Sequence, residues 1–358
     1  MRRTWTIALA GAALAGLSAC SSFGHGAPAP APRAIHWPVV THEYVDLWLH
    51  GYAMLTRDAA QVPVFRRGYR DSVEAARHRG NVLTALDVNH EKLATLMAQN
   101  PEITNGQFLP LYFDSWDQMQ QAVTAFVRAD GQPGRAAPDT RQQFAVIGSM
   151  YPTAQDREWL RLFTQSLGDE SDHFYHQYWM AQQQAHAGVA SAVDSLWNSL
   201  QQRFQRFLTN TQQTGGELAL SLVLGGEGRT LNASPEHNEM VITMPPSRAD
   251  AAEAIYGFAH EAVQTITNTA VNDNTTPAEQ RSGAAAAYTP LAAVRGGAML
   301  LQRVAPELLD GYMRFYLQQA GVAVPAGNVE PTFVGTFLVP TAVIADMSRQ
   351  IGNALGGI

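Results

Sequence analysis

The residues in this chain best suited to chemistry are His260, Glu261 and Gln264, which fall within one predicted helix. Residues four apart lie on the same face of a helix, so the side chains of His260 and Gln264 can approach a single metal ion together. A glutamate beside the first ligand can reach a metal-bound water and act as its general base. The spacing therefore raises metal-assisted hydrolysis as the first chemistry to test.

The segment His260-Glu261-Ala262-Val263-Gln264 resembles the His-Glu-x-x-His signature of gluzincin-type zinc metallopeptidases, with glutamine in place of the second histidine. The resemblance covers residues 215–320, because a strand, a turn, an edge-like strand at Met240–Met244 and then the helix follow the order found in zincins. It implies a zinc cofactor, with His260 as a ligand and Glu261 as the general base. It also implies that Met240–Met244 pairs with the backbone of a peptide substrate.

The rest of the implied ligand set is missing from the sequence. Gluzincins take a third ligand from a glutamate on a following helix, and the corresponding position here falls near Gly283 and Ala284. Glu279 is the closest acid but comes at least a turn too early, so Glu279 and Gln264 are weak ligand candidates. Since zinc needs three protein ligands beside an open catalytic position, the broken motif argues against a bound zinc. It favours a zincin-like scaffold without peptidase activity.

The same resemblance places a cleft beside this helix. Its lining residues would be Glu227, Arg229, Val241 and Thr243. The preferred hypothesis is a non-catalytic protein that binds an extended peptide or another envelope protein in this cleft. Two alternatives stay open. One is an active zinc metallohydrolase that uses Glu261 and recruits atypical ligands. The other is a purely structural envelope protein, in which His260 and Glu261 are ordinary polar residues on a helix.

A second group of residues, Glu170-Ser171-Asp172-His173, has the Glu-x-x-His spacing of di-iron carboxylate helix bundles. Such a site needs a second copy of the motif, and the upstream helices do not supply one. An aromatic stripe follows on the same helix: Phe174, Tyr175, Tyr178 and Trp179. This aromatic stripe indicates that the segment packs in the core. The remaining alternative is that Glu170 and His173 line a groove facing the sheet.

The amino-terminal segment carries a targeting signal. Arg2 and Arg3 precede a short apolar run that ends at Leu17-Ser18-Ala19-Cys20, which resembles the lipobox of bacterial lipoproteins. The resemblance implies that residues 1–19 are a removed signal peptide and that Cys20 carries a diacylglycerol and an N-acyl chain. Several acyl chains anchor a protein stably, whereas one binds marginally. Ser21, in place of an aspartate, implies the outer membrane, with the body facing the periplasm or the outside.

The charge and the cysteine content of the chain limit the partners and the covalent links that it can form. Loss of residues 1–19 removes two arginines and no acid, so the formal net charge moves from −7 to −9. An acidic surface argues against nucleic acid as a partner. Because Cys20 is the only cysteine, no disulfide can form within the chain, and stability must come from burial.

The elements expected around these residues are mostly helical. The composition predicts a Pro/Ala/Ser linker at residues 20–40. The hydrophobic pattern predicts a helical region at residues 41–213 and the zincin-like region at residues 214–358, and we expect these two regions to form one compact unit. The fold class predicted is mainly α with a small β-sheet (α+β). Strands are expected at Glu217–Leu224 and Met240–Met244. The helices expected are 71–100, 115–129, 139–149, 153–186, 187–213, 247–271, 290–304, 306–320 and 341–355.

Overall fold

The computed structural model of the chain describes residues 35–56, 64–135, 138–226 and 228–356. The signal peptide, Cys20 and most of the predicted linker lie outside these residues. The described fold is mainly α with a four-stranded mixed sheet, which confirms the predicted fold class. The chain divides into two compact units. We name them the sheet unit, Trp37–Gln201 with Gly215–Glu261, and the helical unit, which contains Gln202–Thr214 and Ala262–Ile358.

The elements up to the end of the sheet unit are, in chain order, β1 Val39–Val40, α1 Glu43–Leu55, α2 Tyr69–Gly80, α3 Ala85–Gln99, α4 Trp116–Arg128, α5 Arg141–Met150, α6 Ala154–Glu170, α7 His176–Asn210, β2 Glu217–Ser221, β3 Arg229–Ser234, β4 His237–Thr243 and α8 Ala252–Ala262. A 3-10 segment, Pro101–Tyr112, follows α3, and a π-helical turn, Ser171–Tyr175, joins α6 to α7. The last turns of α7 and the final residue of α8 belong to the helical unit.

Helix α1 forms the centre of the sheet unit's core because it is apolar on nearly every face. Its Trp48 and Tyr52 are fully buried and contact the rings of Trp159 and Phe163 on α6. The indole nitrogen of Trp48 donates to the carbonyl of Gly106, 2.9 Å away, so its polar atom is satisfied within the core. This packing fixes α1 against α6, the two helices that carry the buried polar residues described below.

Several helix boundaries differ from the predicted ones. The helix expected at 71–100 is two helices, because Asn81 adopts a left-handed conformation with φ of 49° after α2 and Thr84 begins α3 with a capping box. The break expected at 186–187 does not occur, since α7 is continuous there. The helix expected at 247–271 is also wrong, because α8 ends at Ala262 and the next helix begins at Gln264.

The sheet has the order β1-β2-β4-β3. β2 is parallel to both β1 and β4, whereas β3 is antiparallel to β4. The expectation that Met240–Met244 is an edge strand is therefore wrong, because β4 lies between β2 and β3. The edge strands are β1 and β3, and no strand was expected at the residues of β3. Its polar composition, Arg-Thr-Leu-Asn-Ala-Ser, hides the alternation that marks a half-buried strand.

The helical unit continues with α9 Gln264–Asp273, α10 Pro277–Ser282, α11 Ala284–Val304, α12 Leu309–Gln319, α13 Glu330–Thr336 and α14 Thr341–Ala354. Its core includes Ala270, Val271, Ala292, Val343 and Met347. A Cβ at Gly296 would lie 2.6 Å from Thr267, so α9 and α11 approach closely there. Within the described residues, no single helix is long and apolar enough to cross a membrane; α13 and α14, which are bent by 115°, meet that length and composition only as a pair.

Candidate functional site

The predicted site residues His260 and Glu261 lie at the end of α8, against strand β3. Both side chains are largely buried, and His260 Nδ1 lies 3.0 Å from Glu261 Oε1. The other carboxylate oxygen accepts a hydrogen bond from Thr230 Oγ1 at 3.1 Å. Burial alone would raise the pKa of Glu261, but the hydrogen bond and charge of His260, the charge of Arg229 and the hydrogen bond from Thr230 lower it overall. Glu261 is therefore an ionised carboxylate whose two oxygens are both engaged.

Little of this pair reaches solvent, because the side chain of Glu261 is 2% exposed and that of His260 is 11% exposed. A Cβ at Gly228 would lie 2.8 Å from the carbonyl oxygen of Val241 and 3.0 Å from Glu261 Cγ. This contact explains why glycine stands at position 228, since any side chain there would collide with the strand or with the carboxylate. A general base needs space beside it for a substrate and a water molecule. The burial of Glu261 and the close approach of the chain at Gly228 restrict that space.

The structure does not complete a zinc site around His260. Gln264 lies beyond the break between α8 and α9, so the motif is not on one uninterrupted helix. Glu279 is used elsewhere, because its carboxylate accepts from the backbone and hydroxyl of Thr276 in the capping box of α10. Among all the described residues, no group of three or more His, Cys, Asp or Glu side chains is placed to hold a metal ion. The residues present therefore do not fit catalytic zinc.

The residues predicted to line the cleft have separate environments. Val241 is buried within the sheet. Thr243 is half-buried, and its hydroxyl accepts the backbone N–H of Gly226 at 2.8 Å. Arg229 contributes to the charge around Glu261, and its guanidinium lies 5.2 Å from the ring centre of Phe108. Glu227 lies outside the described residues.

A second histidine–glutamate pair lies in the core of the sheet unit. His50 on α1 and Glu170 at the end of α6 are both fully buried, with His50 Nε2 3.0 Å from Glu170 Oε1. Glu170 also accepts hydrogen bonds from Arg77 and Thr84, and Arg77 forms a further ion pair with Asp87. Burial alone would raise the pKa of Glu170, but the His50 contact and the charge of Arg77 lower it overall, so it is ionised. Burial lowers the pKa of His50, so its imidazole is neutral.

Two tyrosines connect this buried pair to a cleft. Tyr69 Oη lies 3.0 Å from His50 Nδ1, and the ring centre of Tyr175 lies 4.4 Å from that of His50. Because an ionised carboxylate only accepts, His50 donates through Nε2 and accepts the Tyr69 proton at Nδ1. The hydrogen bonds therefore run in one direction, from Tyr69 through His50 to Glu170. The cleft has a volume of about 110 Å³, and its lining includes Arg66, Arg67, Tyr69, Tyr175, Tyr178 and His186.

The π-helical turn Ser171–Tyr175 links the buried carboxylate to the cleft. Glu170 immediately precedes this turn, and Tyr175 is its last residue. A π turn shifts the side chains that follow it relative to an α-helix, and such turns are frequent at functional sites. The turn therefore lets one continuous helical segment supply both the buried end of the hydrogen-bond chain and part of the cleft lining.

Asp46 is a further buried acid, one helical turn before His50 on α1. It accepts hydrogen bonds from Ser221 Oγ at 2.5 Å, from Trp179 Nε1 at 3.0 Å and from the backbone N–H of Leu222 at 3.2 Å. Burial raises the pKa of Asp46 to about 6, although these hydrogen bonds and the charge of Arg66 oppose the rise. Trp179 and Leu222 both line the cleft, so Asp46 fixes part of its wall.

Sequence analysis found one member of this cluster and missed its partners. Glu170 was singled out with His173, but His173 is exposed and its Nδ1 lies 2.9 Å from the carbonyl of Asp169. The partner of Glu170 is His50, 120 positions away in the chain. The signal that could have indicated His50 is its spacing from Asp46, because the two are polar residues four apart within an apolar helix. No sequence pattern would have added Tyr69 or Arg66.

Comparisons of the chain with models of protein families, with curated proteins and with solved structures found no match.

Proposed function

We propose that this protein is a lipoprotein of the outer membrane that acts by binding and not by catalysis. The lipobox-like segment ending at Cys20 supports the anchor, and the Pro/Ala/Ser linker after it supports a body held away from the lipid surface. The observation that carries the non-catalytic part is the closed group formed by His260, Glu261 and Thr230. Both oxygens of the would-be general base are engaged, and its side chain is buried.

The partner we propose is an extended peptide or a segment of an envelope protein. An edge strand presents unpaired backbone groups to which such a segment can add. In the sheet unit this edge belongs to β3, whose last three residues are exposed. Ala233 is the residue left out of register with β4 at the bulge between Asn232 and Ser234. Proline is tolerated at bulges but blocks an added strand, so Ala233→Pro is a targeted test.

The experiment incubates the full-length protein, purified in detergent, with a peptide digest of casein and analyses bound and free peptides by mass spectrometry. We expect peptides to be retained intact, and we expect Ala233→Pro, but not the control Ala233→Ser, to lose them. Cleavage products that disappear in Glu261→Gln would support the zinc hydrolase alternative instead. Absence of any retained peptide would leave the purely structural alternative.

The anchor is tested separately. We expect the native protein to fractionate with the outer membrane and to carry a mass increment of acyl chains on Cys20, and we expect Cys20→Ser to lose both properties. Native protein recovered without lipid in the soluble fraction would contradict the anchor.

A further inference from the structure

The cleft beside Tyr69 differs in charge from the molecule as a whole. The chain carries a formal net charge of −7, yet the cleft is lined by Arg66, Arg67 and His186. Among the described residues that line it, none is a carboxylate. Asp46 and Glu253 lie close enough to act on the charge of Arg66, but neither lines the cleft. Two arginines in such a lining attract anions locally, because a concave site bounded by protein focuses the field of its charges.

Arg66 is held rigidly at this position. Its backbone N–H donates to the carbonyl of Val223 at 2.8 Å, and its guanidinium donates to the carbonyl of Met244. A Cβ at Gly225 would lie 2.7 Å from Arg66 Cα, so glycine is required there for the two segments to approach. Burial lowers the pKa of Arg66, which reflects its partial removal from water. A fixed, partly dehydrated guanidinium loses little entropy when it pairs with a carboxylate or a phosphate.

The tyrosines complete a rigid polar floor. The hydroxyl of Tyr69 donates to His50, which donates in turn to the buried Glu170, and the ring centre of Tyr175 lies 4.4 Å from that of His50. Tyr178 lies beside them, with its ring centre 6.1 Å from that of Tyr175. Arg66 and Arg79 are close enough to Tyr178 to oppose the effect of burial on its pKa. The Tyr178 hydroxyl is thus a hydrogen-bond donor within the field of the arginines.

We propose that this cleft binds an oxyanion group, a carboxylate or a phosphate, through Arg66, Arg67 and Tyr178. A volume of about 110 Å³ exceeds that of a single water, whose share of liquid volume is about 30 Å³. It accommodates a group of the size of acetate or phosphate. The ligand therefore inserts one anionic end group here. This site lies apart from β3, and its occupation does not depend on the proposed binding of peptides there.

The experiment titrates the full-length protein in detergent with inorganic phosphate and, separately, with acetate, at an ionic strength held constant with chloride. We expect saturable heat of binding for at least one of them, and the preferred anion identifies the chemistry of the ligand. The double variant Arg66→Gln/Arg67→Gln should weaken the affinity about tenfold or more, since a hydrogen bond to a charged group contributes about 1.5–3 kcal/mol. The matched control is Arg70→Gln, because Arg70 pairs with Glu74 and does not line the cleft.

A second pair of variants covers the case in which the double variant fails to fold through loss of the Met244 contact. Arg67 is exposed, so Arg67→Gln and Tyr178→Phe should fold, and each should weaken binding several-fold. Binding of neither anion, or equal affinity in the native protein and in these variants, would overturn the proposal.

Discussion

The His260–Glu261 pair and the His50–Glu170 pair both place an imidazole nitrogen 3.0 Å from a buried carboxylate oxygen, yet their surroundings differ. The first pair comes from neighbours in the sequence and is closed by Thr230 and by the chain at Gly228. The second joins residues on two helices and continues through Tyr69 to a cleft. The comparison shows that the same His–Glu contact can have different roles. Whether such a pair can act on a ligand depends on whether its hydrogen bonds continue to a cleft.

The two carboxylates also differ in how their charge is balanced. Glu170 is ion-paired with Arg77, a buried arginine, whereas Glu261 is balanced chiefly by His260 and by the nearby charge of Arg229. Removing one partner of a buried ion pair leaves an uncompensated charge in a dry environment, and this costs more than the net value of the pair. The two sites should therefore respond differently to the same substitution.

The largest expected effect follows from that difference. We expect Glu170→Gln to lower the free energy of unfolding by about 3–5 kcal/mol, because it leaves Arg77 buried beside a neutral amide. Glu261→Gln keeps the hydrogen bond from Thr230 and should cost about 1 kcal/mol. Urea denaturation followed by circular dichroism measures both variants. Equal losses would show that Arg77 is balanced by Asp87 alone and would break the comparison.

A second prediction concerns an acid that lacks such balance. Burial, together with the charges of Glu217 and Asp114, raises the pKa of Glu239 on β4 to about 8. Within the described part of the chain its Oε2 atom is buried without a hydrogen-bond partner. Between pH 4.5 and about 8 the folded chain holds a proton that the unfolded chain releases, so this group lowers stability as the pH rises through that window.

The test is Glu239→Gln, which removes the titration and keeps the shape of the side chain. Relative to the native protein, the variant should gain on the order of 1–2 kcal/mol of stability between pH 4.5 and about 8, a figure reduced for partial solvent exposure. Thermal unfolding at several pH values measures the difference. Glu217→Gln is the neighbouring control, and parallel pH profiles for native protein and Glu239→Gln would contradict the assignment.

The smallest expected effects on stability come from removing the hydroxyl group that donates a hydrogen bond to each His–Glu pair. Tyr69→Phe removes the donor to His50, so we expect a loss of about 1 kcal/mol in the free energy of unfolding. Thr230→Val leaves Glu261 with its contact to His260, so we expect a loss of about 0.5 kcal/mol. Denaturation midpoints of the two variants, compared at one pH, provide the measurement. A larger loss of stability in Thr230→Val than in Tyr69→Phe would contradict this prediction.

The sequence was sufficient for the features that depend on local periodicity and capping. The helices α4, α5 and α12 begin and end within a few residues of the predicted bounds, because Ser115, Pro152 and Pro306 mark helix boundaries locally. The edge strand β3 was missed, since its residues become a strand only through pairing with β4. The break at Val263 was also missed, and nothing in the composition of the segment marks it.

The site could be predicted only in part, for a related reason. His260 and Glu261 are adjacent, so a motif finds them, but the motif does not show that Thr230 and Gly228 close the pair. The second network joins His50, Tyr69 and Glu170 from three helices, and long-range contacts of this kind leave no spacing in a single sequence. Glu170 was found because it begins a Glu-x-x-His spacing, although its true partner lies on α1.

The measurement that most directly tests the central claim, that the His260–Glu261 pair is closed and does not form a zinc site, is the zinc content of the purified full-length protein. The protein is dialysed against zinc and then against metal-free buffer, alongside the His260→Gln variant. The account predicts far less than one zinc per chain in the native protein, with no difference in the variant. Stoichiometric zinc that is lost in His260→Gln would contradict it.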